Sequence, residues 1–281
     1  MPFDEARMKF SLCNEVIADR PFEAQCAFAA ACGYDGLEIA PFTLGEDPRA
    51  LTDADIAGVQ RALAAAGMVA TGLHWLLVKP QGLSITTPDD GVRRTTLEVM
   101  RRNVELCAEL GGSVLVHGSP AQRRIDGDVD ARRRALEIFA AIAETAEASN
   151  VIYCLEPLNS GEADFVNRVG EAVEIVAEIG SPAFRTMIDT SAAALSDIEP
   201  VPDLIRRWVP TGNIAHVQFN DRNRRGPGQG DDDFTPVLKA LAETGYDRIV
   251  AMEPFIYEPD RSACAAASIA YVRGIMEALA A

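Results

Sequence analysis

The chain has 281 residues, of which 48% are hydrophobic, and its formal net charge is −16 at pH 7. The length fits either one large α/β barrel or two ordinary domains. The strong negative charge disfavours nucleic acid and anionic lipid surfaces as partners, because both repel an acidic protein. Since no Pro-, Ser-, Gly- or charge-rich stretch looks like a linker, we predict a single domain over residues 1–281.

The lack of a recognisable targeting signal and the pattern of cysteines favour a cytoplasmic protein without a membrane partner. The first thirty residues lack a basic segment followed by a long apolar run. No apolar segment reaches the roughly 18 residues that a membrane span needs. The cysteines are scattered without CxxC spacing and are expected to be reduced core residues. They are Cys13, Cys26, Cys32, Cys107, Cys154 and Cys264.

The first half of the chain alternates apolar strands with helical segments. The predicted strands are Met8–Cys13, Asp35–Ile39, Met68–Leu73 and Ser113–Val116, and the predicted helices are Pro21–Cys32, Thr52–Ala66 and Thr87–Leu110. Thr52, with Asp55 three residues later, forms a capping-box pattern, and Thr87-Pro88 is typical of a helix start. Trp75–Thr87 is a longer connection, of a length that often covers a binding site.

The second half continues the alternation. Its predicted strands are Val151–Leu155, Phe184–Ile188, Asn213–Gln218 and Arg248–Met252, and its predicted helices are Asp128–Ala148, Asp164–Ile179, Asp197–Trp208, Phe234–Thr244 and Arg261–Leu279. Eight strand–helix units with continuously apolar strands predict an α/β protein, a closed (β/α)8 TIM barrel. A doubly wound open sheet is the alternative. It is disfavoured because Asn14-Glu15-Val16-Ile17, and not a Gly-rich phosphate turn, follows the first strand.

Two of the predicted strands end in a glutamate followed at once by proline. Glu156-Pro157 closes the fifth strand and Glu253-Pro254 the eighth, because proline cannot donate to a sheet. Asp189 ends the sixth strand. Since all strand ends of a barrel meet at one mouth, we expect three carboxylates to lie together there and to repel unless a cation sits among them. The alternative is that the glutamates are solvated or paired with an arginine.

The seventh strand offers the fourth ligand of such a site. His216, Gln218 and Asn220 share one face because strand side chains alternate. Gln218 lies nearer the mouth, so we predict Gln218 as the ligand and His216 one layer deeper, with His216 as the alternative ligand. The predicted metal ligands are Glu156, Asp189, Gln218 and Glu253. This oxygen-rich set suits Mn²⁺ or Mg²⁺ better than Zn²⁺, whereas a bound His216 would favour Mn²⁺ or Co²⁺.

Five motifs spread over nearly the whole chain form a set. They are Tyr34-Asp35-Gly36-Leu37-Glu38, Glu156-Pro157-Leu158-Asn159 with Glu162, Ile188-Asp189-Thr190, His216-Val217-Gln218, and Gly245-Tyr246-Asp247 leading to Glu253-Pro254-Phe255. Together they resemble the sugar isomerases and epimerases of the xylose isomerase-like TIM-barrel superfamily, which includes ketose 3-epimerases and hydroxypyruvate isomerases. The resemblance implies that the four predicted ligands hold the metal and that Glu156 and Glu253 move the proton. It also implies that Glu162 and Arg224 contact the substrate.

Three histidines are further candidates for substrate contact. His74 and His117 end the third and fourth strands and His216 lies on the seventh, although each can also be bonded within the protein. The family's epimerases usually carry a histidine three residues after the aspartate of the sixth strand, and this chain has Ala192 there. The usual substrates of the characterised branches therefore do not follow from the resemblance. The loop Gly226–Gly230 is predicted to be tight, with a phosphate cradle as the less favoured alternative.

The leading hypothesis is a divalent-metal-dependent isomerase or epimerase of a small keto sugar or sugar acid, acting by proton transfer through an enediolate. The alternative is a lyase or dehydratase acting on a keto sugar or keto-glycoside in the same metal site. A non-catalytic sugar-binding module is another hypothesis. Abasic-site endonucleases share the barrel, but they need three zinc ions and several histidines, whereas this chain has three histidines in all. The expected partner is a small carbohydrate, and homo-oligomer formation is left open.

Overall fold

The computed structural model describes residues 8–280, and eight parallel strands form its centre. Each strand pairs with the next in sequence, and β8 pairs with β1, which closes the barrel. The strands are β1 (Lys9–Cys13), β2 (Gly36–Ile39), β3 (Val69–Leu73), β4 (Val114–His117), β5 (Ile152–Leu155), β6 (Phe184–Asp189), β7 (Ile214–Phe219) and β8 (Ile249–Met252). The predicted single TIM barrel is thereby confirmed.

Nine α-helices are found within residues 8–280. They are α1 (Phe22–Cys32), α2 (Asp53–Ala65), α3 (Asp90–Glu109), α4 (Ala131–Ala148), α5 (Val169–Ile179), α6 (Thr190–Ser196), α7 (Val201–Trp208), α8 (Thr235–Glu243) and α9 (Arg261–Ala280). The connection from β6 to β7 contains two helices, α6 and α7, where the sequence predicted one helix from Asp197 to Trp208. Short 3-10 turns, such as Asn14–Ile17 after β1, fill several of the loops at the strand ends.

The alternation of side chains along each strand separates two apolar layers. Val114, Val116, Cys154 and Met187 form a cluster inside the barrel, joined by Ala215, which the register shift between β6 and β7 skips. The residues between them on the same strands, such as Leu115 and Tyr153, belong to the larger core between strands and helices. Because inward and outward residues alternate with a period of two, each strand can also carry polar groups into the barrel without disturbing the outer core.

Several predicted helix starts are wrong by three residues or more, and for α3 and α5 the hydrogen bonds of an aspartate explain the difference. Helix α3 begins at Asp90 because the Asp89 carboxylate accepts hydrogen bonds from the amides of Gly91 and Val92, so Thr87 is not the cap. Helix α5 begins at Val169 and not at Asp164. The carboxylate of Asp164 instead accepts hydrogen bonds from the amides of Ile125 and Asp126 in another loop.

By length and composition alone, α9 could cross a membrane. In the barrel, however, one side of α9 is packed into the protein, with Cys264, Ile269, Val272 and Met276 buried. Helices that cover a barrel need such an apolar side.

The capping box of α2 generates a stability prediction. The Thr52 hydroxyl accepts a hydrogen bond from the Asp55 amide at 3.3 Å, and the Asp55 carboxylate accepts one from the Thr52 amide at 2.9 Å. We expect Thr52→Ala to lower the free energy of unfolding by about 1 kcal/mol, because one helical amide loses its acceptor. Urea denaturation measures the change. Thr52→Ser keeps the hydroxyl and is the control; an equal loss in both variants would contradict the capping role.

Candidate active site

Three carboxylates meet at the carboxyl ends of β5, β6 and β8. One oxygen each from Glu156, Asp189 and Glu253 lies within 4.8 Å of the others, and all three residues are buried. The barrel register places Asp189 beside Gln218, and Gln218 beside Ala251 of β8. Asp189 and Gln218 therefore lie at the same level of the barrel mouth, and Glu253 follows two residues after Ala251.

The proximity of these carboxylates changes their acidity. Burial, followed by the charges of Glu253 and Asp189, raises the pKa of Glu156 well above its ordinary value. Burial and the charge of Glu253 raise the pKa of Asp189 to about 8. Burial also raises the pKa of Glu253, although His74 opposes the shift. Holding three ionised carboxylates together without a cation is thus unfavourable.

The two carboxylate oxygens of Asp189 have different surroundings. Oδ1 accepts a hydrogen bond from the Ala192 amide at 2.6 Å and caps α6. Oδ2 is buried and has no hydrogen-bond partner within residues 8–280. Helix α6 starts directly at the end of β6, so its cap also fixes the orientation of this carboxylate.

The two carboxylate oxygens of Glu253 also have different surroundings. The indole nitrogen of Trp75 donates a hydrogen bond to Glu253 Oε1 at 2.8 Å, and His74 Nδ1 lies 3.4 Å from the same oxygen. Oε2 is buried and unpartnered in the part of the chain that the structure describes. The dipeptide His74-Trp75 at the end of β3 therefore orients the carboxylate across the barrel mouth.

His74 lies among three glutamates, and the farthest of them is Glu38, whose Oε1 is 3.7 Å from Nδ1. Its Nε2 is 2.9 Å from Oε2 of Glu15, and its Nδ1 faces Glu253. Burial alone would lower the pKa of His74, but Glu15 and Glu253 raise it well above the ordinary histidine value. His74 also lines the cavity over the carboxylates. Since both ring nitrogens face carboxylates, the geometry favours a role in holding Glu253 over the predicted substrate contact.

Gln218 and His216 both point into the barrel and contact Glu38 of β2. Gln218 Nε2 donates a hydrogen bond to Glu38 Oε1 at 2.8 Å, and His216 Nε2 lies 2.7 Å from Glu38 Oε2. His216 is buried below the mouth, so its predicted substrate contact does not agree with its position. Gln218 Oε1 is buried without a hydrogen-bond partner among the described residues.

A cavity of about 100 Å³ opens over the carboxylates. It is lined by His74, Trp75, Val116, Gly118, Ser119, Pro120, Glu156, Leu158, Glu162, Arg224, Glu253 and Phe255. Arg224 Nη1 lies 2.7 Å from Glu162 Oε1, and the Arg224 guanidinium stacks 4.5 Å from the centre of the Phe255 ring. Glu162 and Arg224, the substrate contacts that the resemblance implied, therefore lie at the cavity, paired with each other.

Arg224 is carried by a loop that is held by its own hydrogen bonds. Asp221 accepts hydrogen bonds from the amides of Asn223 and Asp232, and the Gly226 amide donates to Gln229 Oε1 at 3.1 Å. Within residues 226–230, the amides of Gly226 and Gln229 are thus used inside the loop, and Pro227 has no amide hydrogen. The geometry therefore disfavours the phosphate cradle that was considered for residues 226–230.

His117 lies away from the site, and the prediction that it contacts the substrate does not agree with its position. Its side chain faces the helices, where Nδ1 is 2.7 Å from the Tyr153 hydroxyl and the ring packs edge-on against Phe139 of α4. Burial, together with the charge of Arg123, lowers the pKa of His117 to about 3. The alternation of side chains along β4 places Val116 inside the barrel and His117 outside.

Sequence reasoning missed several residues that support the carboxylates. Glu15 and Trp75 follow the ends of β1 and β3, so the rule that strand ends meet at the mouth could have found them. Arg123 gave no such signal. It is fully buried and donates hydrogen bonds to the carbonyls of Glu156 and Val166, the two ends of the loop that carries Glu162. Burial lowers the pKa of Arg123 to about 10, although Glu156 opposes the shift.

The residues at this mouth fit a hard divalent cation. Asp189 Oδ2, Glu253 Oε2 and Gln218 Oε1 are buried acceptors without hydrogen-bond partners among residues 8–280, and Glu156 lies within 4.8 Å of the other two carboxylates. Buried acceptors are normally satisfied, and an all-oxygen set is typical of Mg²⁺ or Mn²⁺. A cation would also offset the repulsion that raises the pKa values.

Comparison with known proteins gives a family and several relatives. A family model described as a xylose isomerase-like TIM barrel matches residues 26–275. A D-psicose 3-epimerase of Ruminiclostridium cellulolyticum is 28% identical over 62% of this chain and 60% of its own length. The match thus spans less than two thirds of that relative. An L-ribulose 3-epimerase of Mesorhizobium japonicum is 25% identical over 86% of this chain and 78% of its own length.

A solved structure extends the likeness of fold to almost the whole chain. The 3-keto-D-glucoside 4-epimerase of E. coli superimposes with a TM-score of 0.82, covering 95% of this chain and 99% of that chain, at 19% identity. At an identity this low, the superposition shows a shared fold and nothing more.

Gly118 generates a prediction about the carboxylates. A Cβ atom added at Gly118 would overlap with Glu156 Oε2, so Gly118→Ala must displace that carboxylate. We expect Mn²⁺ to bind about tenfold or more weakly, the scale on which supports of metal ligands act, as measured by isothermal titration calorimetry. Gly58→Ala is the control, because the nearest atom would lie 3.8 Å from its Cβ. Equal Mn²⁺ affinities in the two variants would contradict the prediction.

The raised pKa of Asp189 predicts how the stability of the metal-free protein depends on pH. Between the ordinary aspartate pKa of 3.8 and its folded value of about 8, Asp189 binds a proton in the folded state but not in the unfolded state. Stability therefore falls as pH rises through this window. We expect the melting temperature in EDTA to fall less steeply for Asp189→Asn than for the natural protein. Parallel pH profiles would count against the shift.

Proposed function

The chain belongs to the xylose isomerase-like TIM-barrel family, and from that membership we propose that it is a divalent-metal-dependent isomerase or epimerase of a small keto sugar or sugar acid. The observation that carries the proposal is the meeting of Glu156, Asp189 and Glu253 within 4.8 Å at the barrel mouth. The psicose and ribulose epimerases among its relatives support epimerisation of a ketose in particular.

The proposed ligands are the oxygens of Glu156, Asp189, Gln218 and Glu253, and the proposed cation is Mn²⁺ or Mg²⁺. Three of these residues present a buried acceptor without a hydrogen-bond partner in the described chain. The Nε2 atom of His216 lies 2.7 Å from Glu38 Oε2, beside that carboxylate, which supports this set over one that includes His216. When bound, the cation would supply Lewis-acid stabilisation of the negative charge that develops on the substrate oxygens. All remaining chemistry falls to the side chains.

Glu156 and Glu253 are the proposed acid–base pair. They lie three strands apart in the barrel order, so a substrate in the cavity between them would present opposite faces to the two carboxylates. One glutamate takes the proton next to the carbonyl, and an enediolate forms in the substrate. Return of a proton by the other glutamate inverts the carbon and gives an epimer. Transfer by one glutamate between adjacent carbons gives an isomer instead.

The cavity walls support a small polyol as the substrate. Glu162 and Arg224 form an ion pair at the cavity, and both side chains can bond to sugar hydroxyls in the proposed complex. Trp75 and Phe255 supply an apolar wall whose ring centres are 6.1 Å apart, and such surfaces pack well against the C–H faces of sugars. Ala192, buried beside Asp189, offers no polar contact of its own side chain.

Solvent isotope exchange tests the proposal. In deuterated water with Mn²⁺ and a panel of ketoses, including D-psicose, D-fructose and L-ribulose, we expect deuterium to enter the carbon next to the carbonyl of at least one ketose, and NMR detects it. Glu156→Gln and Glu253→Gln should each lower the exchange rate by at least about 10²-fold, because a positioned acid or base contributes on that scale. Glu98→Gln, an exposed residue of α3, is the control.

Other outcomes of the same experiment would identify other functions. A product that absorbs as an enone would indicate elimination, the lyase reaction. Sugar binding that survives Glu156→Gln, with no exchange in the natural protein, would indicate a binding module. An absence of both exchange and turnover across the panel, in protein that binds Mn²⁺, would count against the proposal.

A further inference from the structure

Glu38 is the buried charged residue on which the strand-seven side chains depend. It lies at the carboxyl half of β2, next to Cys13 of β1 and Gly72 of β3 in the barrel register, and its side chain is wholly buried. A buried carboxylate is costly unless each oxygen has a partner. Its partners must therefore explain why the barrel retains it.

The two nearest partners of Glu38 come from β7, which is not a neighbour of β2, whereas His74 Nδ1, after β3, lies farther away, at 3.7 Å from Oε1. In the closed order, β1 and β8 separate the two strands, so the contacts cross the barrel interior. Gln218 Nε2 donates to Oε1 at 2.8 Å, and His216 Nε2 lies 2.7 Å from Oε2. The Glu38 carboxylate thus holds Gln218 through a hydrogen bond and lies within ion-pair distance of His216, two residues earlier on the same face of β7.

The chemistry of this contact decides which end of the Gln218 amide points to the mouth. A carboxylate only accepts hydrogen bonds, whereas a primary amide has one donor end and one acceptor end. The NH₂ group must therefore face Glu38, and the carbonyl oxygen must face away from it. That oxygen is buried without a hydrogen-bond partner among residues 8–280, as are Asp189 Oδ2 and Glu253 Oε2.

We infer that Glu38 is a positioning residue that orients the carbonyl oxygen of Gln218 towards the three carboxylates and so completes an all-oxygen cation site. The inference rests on the proposed function, because it takes Gln218 as the fourth ligand. It assigns to Glu38 neither the sugar contact nor the arginine pair that a glutamate at a strand end suggests. Partners of metal ligands commonly govern affinity in this way.

The first test is the substitution Glu38→Gln. The introduced amide has the same shape as the carboxylate, but its NH₂ group can donate to Gln218 Oε1 and so turn that carbonyl oxygen away from the mouth. We expect the Kd for Mn²⁺ to rise about 10- to 100-fold, the range for lost partners of metal ligands. The EPR signal of free Mn²⁺ measures this Kd without any substrate. Glu98→Gln, with the same change on the surface, should bind Mn²⁺ as the natural protein does.

The second test exchanges the two side chains. The double variant combines Glu38→Gln with Gln218→Glu. The amide introduced on β2 then donates to a carboxylate on β7. Because both oxygens of that carboxylate are acceptors, either orientation of the β7 side chain presents an oxygen to the cation. We expect the double variant to bind Mn²⁺ at least about tenfold more tightly than Glu38→Gln alone. Gln218→Glu by itself places two carboxylates face to face, and it should lower the melting temperature.

The outcomes separate the inference from the proposed function. A natural protein that binds no Mn²⁺ would remove the cation site itself. If the natural protein binds Mn²⁺, an unchanged Kd in Glu38→Gln would overturn the role of Glu38, and so would a double variant that binds no better than Glu38→Gln. Should Glu38→Gln fail to fold, the double variant decides alone: a Kd within about tenfold of the natural value supports the role, and loss of binding overturns it.

Discussion

The repulsion among three buried carboxylates is the constraint around which the barrel mouth is built. Glu156, Asp189 and Glu253 each bring an oxygen within 4.8 Å of the others, in surroundings that raise the pKa of each group. A fold does not hold such a set together unless other contacts fix it. Eight strands, closed by parallel pairing, supply that rigidity, and the residues at neighbouring strand ends supply the orientation.

At three of the four proposed ligands, one polar atom of the side chain is hydrogen-bonded within the protein and one oxygen is not. Asp189 gives one oxygen to the cap of α6, Glu253 gives one to Trp75, and Gln218 gives its amide nitrogen to Glu38. In each case the remaining side-chain oxygen is buried and has no hydrogen-bond partner in the described residues. Structural partners thus immobilise one end of each group and direct the other to the mouth. That arrangement is what a preorganised cation site requires.

Much of this site could be predicted from the sequence because a barrel reduces the problem to strand ends. The two Glu-Pro endings, Asp189 and Gln218 follow from where apolar runs stop, and the period of two placed His216 below Gln218. The same rule failed for His117, because it needs the face of β4 and not only its end. Helix starts failed for a different reason: Asp164 has capping chemistry but bonds to the amides of a distant loop.

The sequence by itself determined the fold, the carboxylates at the barrel mouth and the strand that carries the proposed fourth ligand, because apolar periodicity and chain breaks act over a few residues. Only the tertiary structure decided which oxygen of Glu253, and which end of the Gln218 amide, has no hydrogen-bond partner among the described residues. For Gln218 and Glu253 those choices depend on Glu38 and Trp75, which lie on another strand and in another loop. A hydrogen bond across the barrel interior leaves no local pattern in the chain, so its partners become visible only when the barrel closes.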